Sequence, residues 1–251
     1  MSYKKSKYFL IARKRRIKYF FLNKNSQITV VFFHGFMSDM IGAKPLAIQK
    51  FCRKVKINFL KFEYSGHGKS TGEFINQNIS NWTNDAKLLI KAKIKKNKHL
   101  IFIGSSMGSW IALNLFSSFK KQIKGFIGIA SAPEFLEELM WKKFNKKARK
   151  IIMKKKIYHL EHGDFTYPLT KQLIWDGRKN KILNKKINIK IPIVLFHGSN
   201  DKVVPVKFSR NILKVFKNAK KKIIIIKNGN HSLSTKVSLK KICKELNNMI
   251  S

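Results

Sequence analysis

The chain has 251 residues, and 54 Lys plus Arg against 12 Asp plus Glu give it a formal charge of +42. That length can bury one large core, and a single α/β domain over residues 1–251 is expected, with an insertion. No apolar run reaches the roughly 18 residues of a membrane helix and no signal-peptide pattern is visible, so a cytoplasmic chain is expected, with a basic targeting peptide as the competing reading of the acid-free start.

The charge invites a nucleic-acid or membrane reading, because clustered cations reward phosphate binding. Here it is mostly lysine spread over the whole chain, and arginine, which suits bidentate phosphate contact, is scarce. Specific nucleic-acid binding is therefore not expected, and solvated lysine faces explain the composition. Cys52 and Cys243 have no Cys-x-x-Cys partner and read as reduced core thiols.

In chain order, Tyr8 to Leu22 carries two aromatic and β-branched arms about Arg-Lys-Arg-Arg, the pattern of a hairpin with a basic turn. Ile28 to Phe33 is a continuous apolar run, as in a strand covered on both faces. It ends in His34-Gly35-Phe36, with a helix expected from about Lys44 to Val55. A second strand, Asn58 to Tyr64, turns at Ser65 to Ser70, a loop without the spacing of a phosphate loop. A helix is expected over Ser80 to Lys95, with Ser80 as its cap.

Ile101 to Gly108 then reads Ile-Phe-Ile-Gly-Ser-Ser-Met-Gly, an apolar strand entering a Gly-x-Ser-x-Gly turn. The spacing puts Ser106 in a strained strand-to-helix turn, with glycines two residues away on either side leaving it room. A buried helix, Trp110 to Phe116, follows, and then a strand, Ile123 to Ala130. From Glu134 to about Ile189 the alternation breaks into an insertion of helix-forming residues, expected as a helical lid over the carboxyl ends of the strands. His159, His162 and Asp164 within it fit no standard zinc spacing, so no metal is assigned. Ile191 to Phe196 restores the sheet and leads to Asp201. Lys222 to Ile226 ends near His231, before a last helix from about Val237 to Met249.

Ser106, Asp201 and His231 therefore occur in the order Ser, Asp, His, each just past an expected strand, which is the α/β-hydrolase arrangement of a serine triad. The N–H groups of Phe36 and Met107 are the candidate oxyanion donors. Asp164 and Asp176 also follow the serine but fall in the expected lid.

The chain resembles the α/β-hydrolase superfamily over nearly its whole length. His-Gly-Phe-Met-Ser-Asp-Met at 34–40, Tyr-Ser-Gly-His-Gly-Lys-Ser at 64–70, Gly-Ser-Ser-Met-Gly-Ser-Trp at 104–110, Ser-Ala-Pro-Glu-Phe at 131–135 and Asp-Gly-Arg at 176–178 resemble its palmitoyl-protein thioesterase and acyl-glucuronide esterase branch. The resemblance implies a cofactor-free serine esterase or thioesterase acting on a small or acylated substrate, with Ser106 as nucleophile, Asp201 as acid and His231 as base. Ser109, Glu63 and Asn230-His231-Ser232 depart from that branch's usual residues. Leu136, Leu139, Met140 and Trp141 of the lid are the candidate acyl-chain contacts. The rival reading is a non-catalytic binding protein on a hydrolase scaffold, docking through its basic surface.

Overall fold

The computed structural model describes residues 6–13, 15–162 and 165–251. The amino-terminal hairpin is β1 (Lys7–Ala12) and β2 (Arg15–Leu22), antiparallel about the basic turn. After β3 (Ile28–Phe33) the chain alternates through α1 (Ala43–Lys54), β4 (Asn58–Phe62), α2 (Ile79–Lys93), β5 (His99–Ser105) and α3 (Met107–Asn114). The short α4 (Phe116–Phe119) and β6 (Ile123–Ile129) follow. The insertion contains α5 (Lys146–Lys155), β7 (Ile157–His162), β8 (Phe165–Thr170) and α6 (Lys171–Lys179). Beyond it come β9 (Ile187–Asn188), β10 (Pro192–Gly198), α7 (Lys207–Val215), β11 (Phe216–Lys217), β12 (Lys220–Ile226) and α8 (Lys236–Ile250).

Eight strands form one sheet in the order β1-β2-β4-β3-β5-β6-β10-β12, mostly parallel, with β2 running against its neighbours. The apolar runs dictate this, because β3 and β5 are covered on both faces and have no polar side to give to water. One apolar layer holds Trp82 of α2, Trp110 of α3, Phe102 and Leu195. The opposite layer holds Ile48 and Cys52 of α1, Ile103, Phe196 and, from α8, Ile242 and Leu246. Trp82 and Trp110 are fully buried, and truncating either ring costs about 3–5 kcal/mol in transfer and cavity terms. Exposed Lys220, Lys221 and Lys222 on β12 charge the free edge and oppose strand addition there.

β3 connects to β4 on one side while β5 connects to β6 on the other, so the direction in which strands are added across the sheet reverses between the parallel neighbours β3 and β5. A crevice opens at the carboxyl ends of strands where this happens. Phe36 and Ser106 leave the sheet at that point.

Three local expectations change. Asn78, not Ser80, caps α2, its side chain accepting from the Asn81 N–H. The insertion is not wholly helical: β7 and β8 pair antiparallel, and Leu136–Met140 is a single π-helical turn. Cys52 is buried as expected, and burial pushes its thiol pKa up, whereas Cys243 is only partly covered. Among the described residues no helix is long and apolar enough to cross a membrane.

Candidate active site

Ser106 stands between β5 and α3 with φ 52° and ψ −118°, a conformation strained for any residue with a side chain. The neighbouring glycines make it attainable. A Cβ on Gly104 would overlap the Ser109 backbone, and one on Gly108 would overlap the Phe33 carbonyl. The turn is pinned by Ser106 N–H donating to Ile129 O at 2.9 Å and Ser109 N–H donating to Ser106 O at 3.0 Å. Ser109 has its own role, since its hydroxyl donates to Gly104 O at 2.8 Å and accepts from Ser131 Oγ at 2.8 Å.

His231 Nε2 lies 3.1 Å from Ser106 Oγ, and its Nδ1 lies 2.8 Å from Asp201 Oδ2. Three residues separated by up to 125 positions thus form one hydrogen-bonded chain. Asp201 is held from both sides. Its Oδ1 accepts from the Val203 and Val204 N–H groups at 2.9 and 2.8 Å. Burial would raise its carboxyl pKa, but hydrogen bonds from His197, His231 and the Val204 N–H hold it well below the usual carboxylate range.

His197 was not among the sequence candidates. It is fully buried at the end of β10, with Nε2 at 2.8 Å from Val204 O and 3.2 Å from Asp201 Oδ2. Nδ1 is 2.8 Å from Ser209 Oγ, so a donating Nε2–H leaves Nδ1 to accept the Ser209 hydroxyl. The imidazole thereby ties the acid loop to α7. Its sequence signal was the His-Gly pair four residues before Asp201.

Asn230 bends the base loop without adding charge, its Oδ1 accepting from the Ser232 and Leu233 N–H groups at 3.1 and 3.3 Å. Met107 opens α3, where an amide hydrogen has no helical acceptor one turn earlier, and Phe36 follows β3 on the loop alongside. The Phe36 ring packs on Phe74, Phe135 and Tyr167.

These residues face a cleft of about 620 Å³. Leu139 and Met140 line it, as do Phe36, Ser106 and His231. Leu136 and Trp141 do not. Leu136 is fully buried, packed where a Gly177 side chain would meet it and Trp110, and Trp141 stacks edge-on with Trp175 at 5.3 Å. The acyl-contact set is corrected accordingly: the π-turn points Leu136 into the core and sends Trp141 to the outer face.

Asp176 belongs to the docking of the insertion. Its carboxylate accepts from Ser80 N–H and Ser80 Oγ at 2.8 and 2.6 Å, while Arg178 pairs with Glu137 at 2.7 Å. Glu134 joins the two ends of the insertion by accepting from the Ile182 and Leu183 N–H groups at 2.9 and 2.8 Å. Asp164 lies outside the described residues, as does the side chain of His162. Among the described residues no group of three or more His, Cys, Asp or Glu could hold a metal.

The family model described as serine aminopeptidase, S33, matches residues 24–173, which carry β3, the Ser106 turn and most of the insertion. The chain belongs to this α/β-hydrolase family. It is 25% identical to a mitochondrial palmitoyl-protein thioesterase, ABHD10 of Bos taurus, over 88% of this chain and 72% of that one. In fold it is similar to a hydrolase from Agrobacterium vitis S4, with a TM-score of 0.91, 24% identity and 98% of each chain covered. It is also similar to the mouse alpha/beta hydrolase domain-containing protein 10, with a TM-score of 0.87, 23% identity and 98% of each chain covered. As a member of this serine hydrolase family, the chain keeps an elbow serine where β5 meets α3.

His34, at the start of the Phe36 loop, is buried against Tyr64 and His67, with ring centroids 4.3 and 5.0 Å away. Burial lowers its pKa from 6.5 to about 4, against the hydrogen bond to Gly35 O. Between those values the unfolded chain binds a proton that the folded chain refuses, so stability falls as pH drops from about 6.5 to about 4. At 1.36 kcal/mol per pH unit the full loss is about 3 kcal/mol. Urea midpoints at pH 7.0 and 4.5 are expected to differ clearly in the native chain and less in His34→Gln. An equal difference in both would remove His34 as the source.

Proposed function

We propose that the chain is a serine hydrolase cleaving carboxylic esters or thioesters through an acyl-serine intermediate. The observation that carries this reading is the continuous Ser106–His231–Asp201 hydrogen-bonded chain at a strained elbow opening into a cleft. His231 takes the Ser106 proton as Oγ attacks the carbonyl carbon, and Asp201 holds Nδ1–H so that Nε2 is free to receive it. The negative charge on the carbonyl oxygen is met by the Phe36 and Met107 N–H groups. His231 then returns the proton to the departing oxygen or sulfur, and water repeats the sequence on the acyl-serine. These steps need no metal or organic cofactor.

Leu139 and Met140, with Phe36, Phe135, Leu160 and Tyr167, form the wall proposed for the acyl chain, and the insertion is the lid that carries most of it. Supporting a thioester among the candidate substrates, the Bos taurus relative is named a palmitoyl-protein thioesterase. Each methylene buried on that wall contributes up to about 0.8 kcal/mol. In p-nitrophenyl esters and matched thioesters, kcat/KM is expected to rise from butyryl to octanoyl, and Leu139→Ala with Met140→Ala to reduce the octanoyl advantage about tenfold. Equal rates for both chain lengths, unchanged by those substitutions, would remove the acyl wall.

A further inference from the structure

The cleft is lined by cationic as well as apolar residues, and the position of His231 bears on which half of a substrate meets the cations. A base that returns its proton to the departing atom must have the leaving group beside it. Ser232 and Ser234, on the loop that carries His231, line the cleft together with Lys44, Lys202, Val203 and Val204, while Phe135 and Tyr167 pack on the Phe36 ring and the lid adds Leu139, Met140 and Lys143.

Lys44 is the unusual member. Its ammonium donates to Ser232 O at 2.5 Å and to Ser234 Oγ at 3.4 Å, both neutral oxygens. Among the described residues it has no carboxylate at salt-bridge distance. The carboxylate that lines the same cleft, Asp39, accepts from the Ile41 N–H at 2.7 Å and acts on Lys61 instead. Burial lowers the Lys44 pKa to about 8, which leaves it cationic at neutral pH. A cation held partly out of water with only neutral partners is stabilised when an anion reaches it. Lys143 and Lys202 also line the cleft, but Lys44 is tied directly onto the loop that carries His231.

We propose that Lys44, with Lys202 at the rim, forms a subsite for an anionic leaving group: a carboxylate or phosphate carried a few atoms from the scissile ester or thioester bond. The proposal rests on the serine hydrolase reading. Binding there holds the leaving group beside His231 Nε2, so the C–O or C–S bond breaks with the proton source already in place. The departing alcohol or thiol takes that proton, and the acyl group stays on Ser106.

Matched octanoyl thioesters test it. One pair differs only in carboxylate against carboxamide, using 3-mercaptopropionate and 3-mercaptopropionamide. A second pair sets 2-mercaptoethyl phosphate against 2-mercaptoethanol, which separates the two anion types. After correction for uncatalysed rates, the native chain is expected to prefer the anionic member of at least one pair about tenfold or more in kcat/KM, mainly through KM. Lys44→Gln is expected to abolish the preference while still cleaving the neutral member, and Lys202→Gln to reduce it without touching the Ser232 contact. A ratio near one for both pairs in the native chain overturns the subsite, as does an equal loss on both members in Lys44→Gln, which would make Lys44 a brace for the His231 loop alone. If Lys44→Gln does not fold, an unchanged preference in Lys202→Gln at low and high salt overturns it. Native protein that cleaves neither neutral thioester nor its anionic partner brings down the hydrolase reading, and the subsite with it.

Discussion

Replacing Ser106 by alanine is expected to lower turnover of any ester or thioester substrate on the order of 10⁶-fold, to a residue left by binding and oxyanion contacts alone. The size follows from what the substitution removes. In the proposed mechanism the hydroxyl oxygen forms the covalent intermediate, and its hydrogen-bond partner is His231 Nε2 at 3.1 Å. The elbow does not depend on it. Its strain is held by the Ser106 N–H bond to Ile129 O, the bond that Ser109 N–H donates to Ser106 O and the close approach at Gly104 and Gly108, none of which uses the side chain. Thermal unfolding of Ser106→Ala should therefore match the native chain within about 0.5 kcal/mol, as for a substitution that disturbs no packing. Steady-state rates together with a melting curve check both parts. Activity retained in a folded Ser106→Ala chain would place the nucleophile elsewhere.

Asp201→Asn is expected to cost about 10⁴-fold in kcat, and the reason lies in the tautomer it imposes. Oδ1 of Asp201 is committed to the Val203 and Val204 N–H groups, so an asparagine keeps its carbonyl oxygen there and turns its amide nitrogen toward His231. Two donors cannot share that contact. Nδ1 of His231 must then accept, its proton moves to Nε2, and the nitrogen facing Ser106 can no longer take a proton. The same amide also meets the His197 nitrogen that now lies 3.2 Å from Oδ2. Rates of Asp201→Asn within tenfold of native would show that the orientation of His231 is secured by something other than this carboxylate. A fall in kcat with little change in KM is the expected form, since Asp201 does not line the cleft.

The fold was legible because β3, β5, β6 and β10 are mostly apolar through their middles and each ends in a loop bearing glycine or a polar residue. Gly104 and Gly108 announced the elbow for a reason visible in the structure, where both approach backbone too closely for a Cβ. The order of Ser106, Asp201 and His231 could be read for the same reason: parallel strands deliver all three loops to one end of the sheet. Contacts across the sheet left no such trace. His197 looked like part of a strand end, and its link to Val204 O and Ser209 appears only when α7 packs on β10.

The insertion was the least legible segment. Leu136, Leu139, Met140 and Trp141 were expected together as acyl-chain contacts, but around the π-turn Leu136 enters the core, Leu139 and Met140 line the cleft and Trp141 packs on Trp175. Part of the expected helical lid is instead β7 and β8, which pair antiparallel with Leu169 buried and His159 exposed. Asp-Gly-Arg at 176–178 reads as a motif with a structural use. Asp176 holds the start of α2, Gly177 admits Leu136 and Trp110, and Arg178 binds Glu137. That is why an aspartate after the serine in the chain can be rich in hydrogen bonds and still stand outside the triad geometry.

The most direct measurement is covalent trapping by a fluorophosphonate followed by mass spectrometry of the digested protein. The phosphonyl group is expected on the peptide containing Ser106 and on no other serine, with labelling lost in Ser106→Ala and slowed in His231→Ala. Folded native protein that takes up no label, or that keeps it in Ser106→Ala, would contradict the assignment of this cleft as the active site of a serine hydrolase.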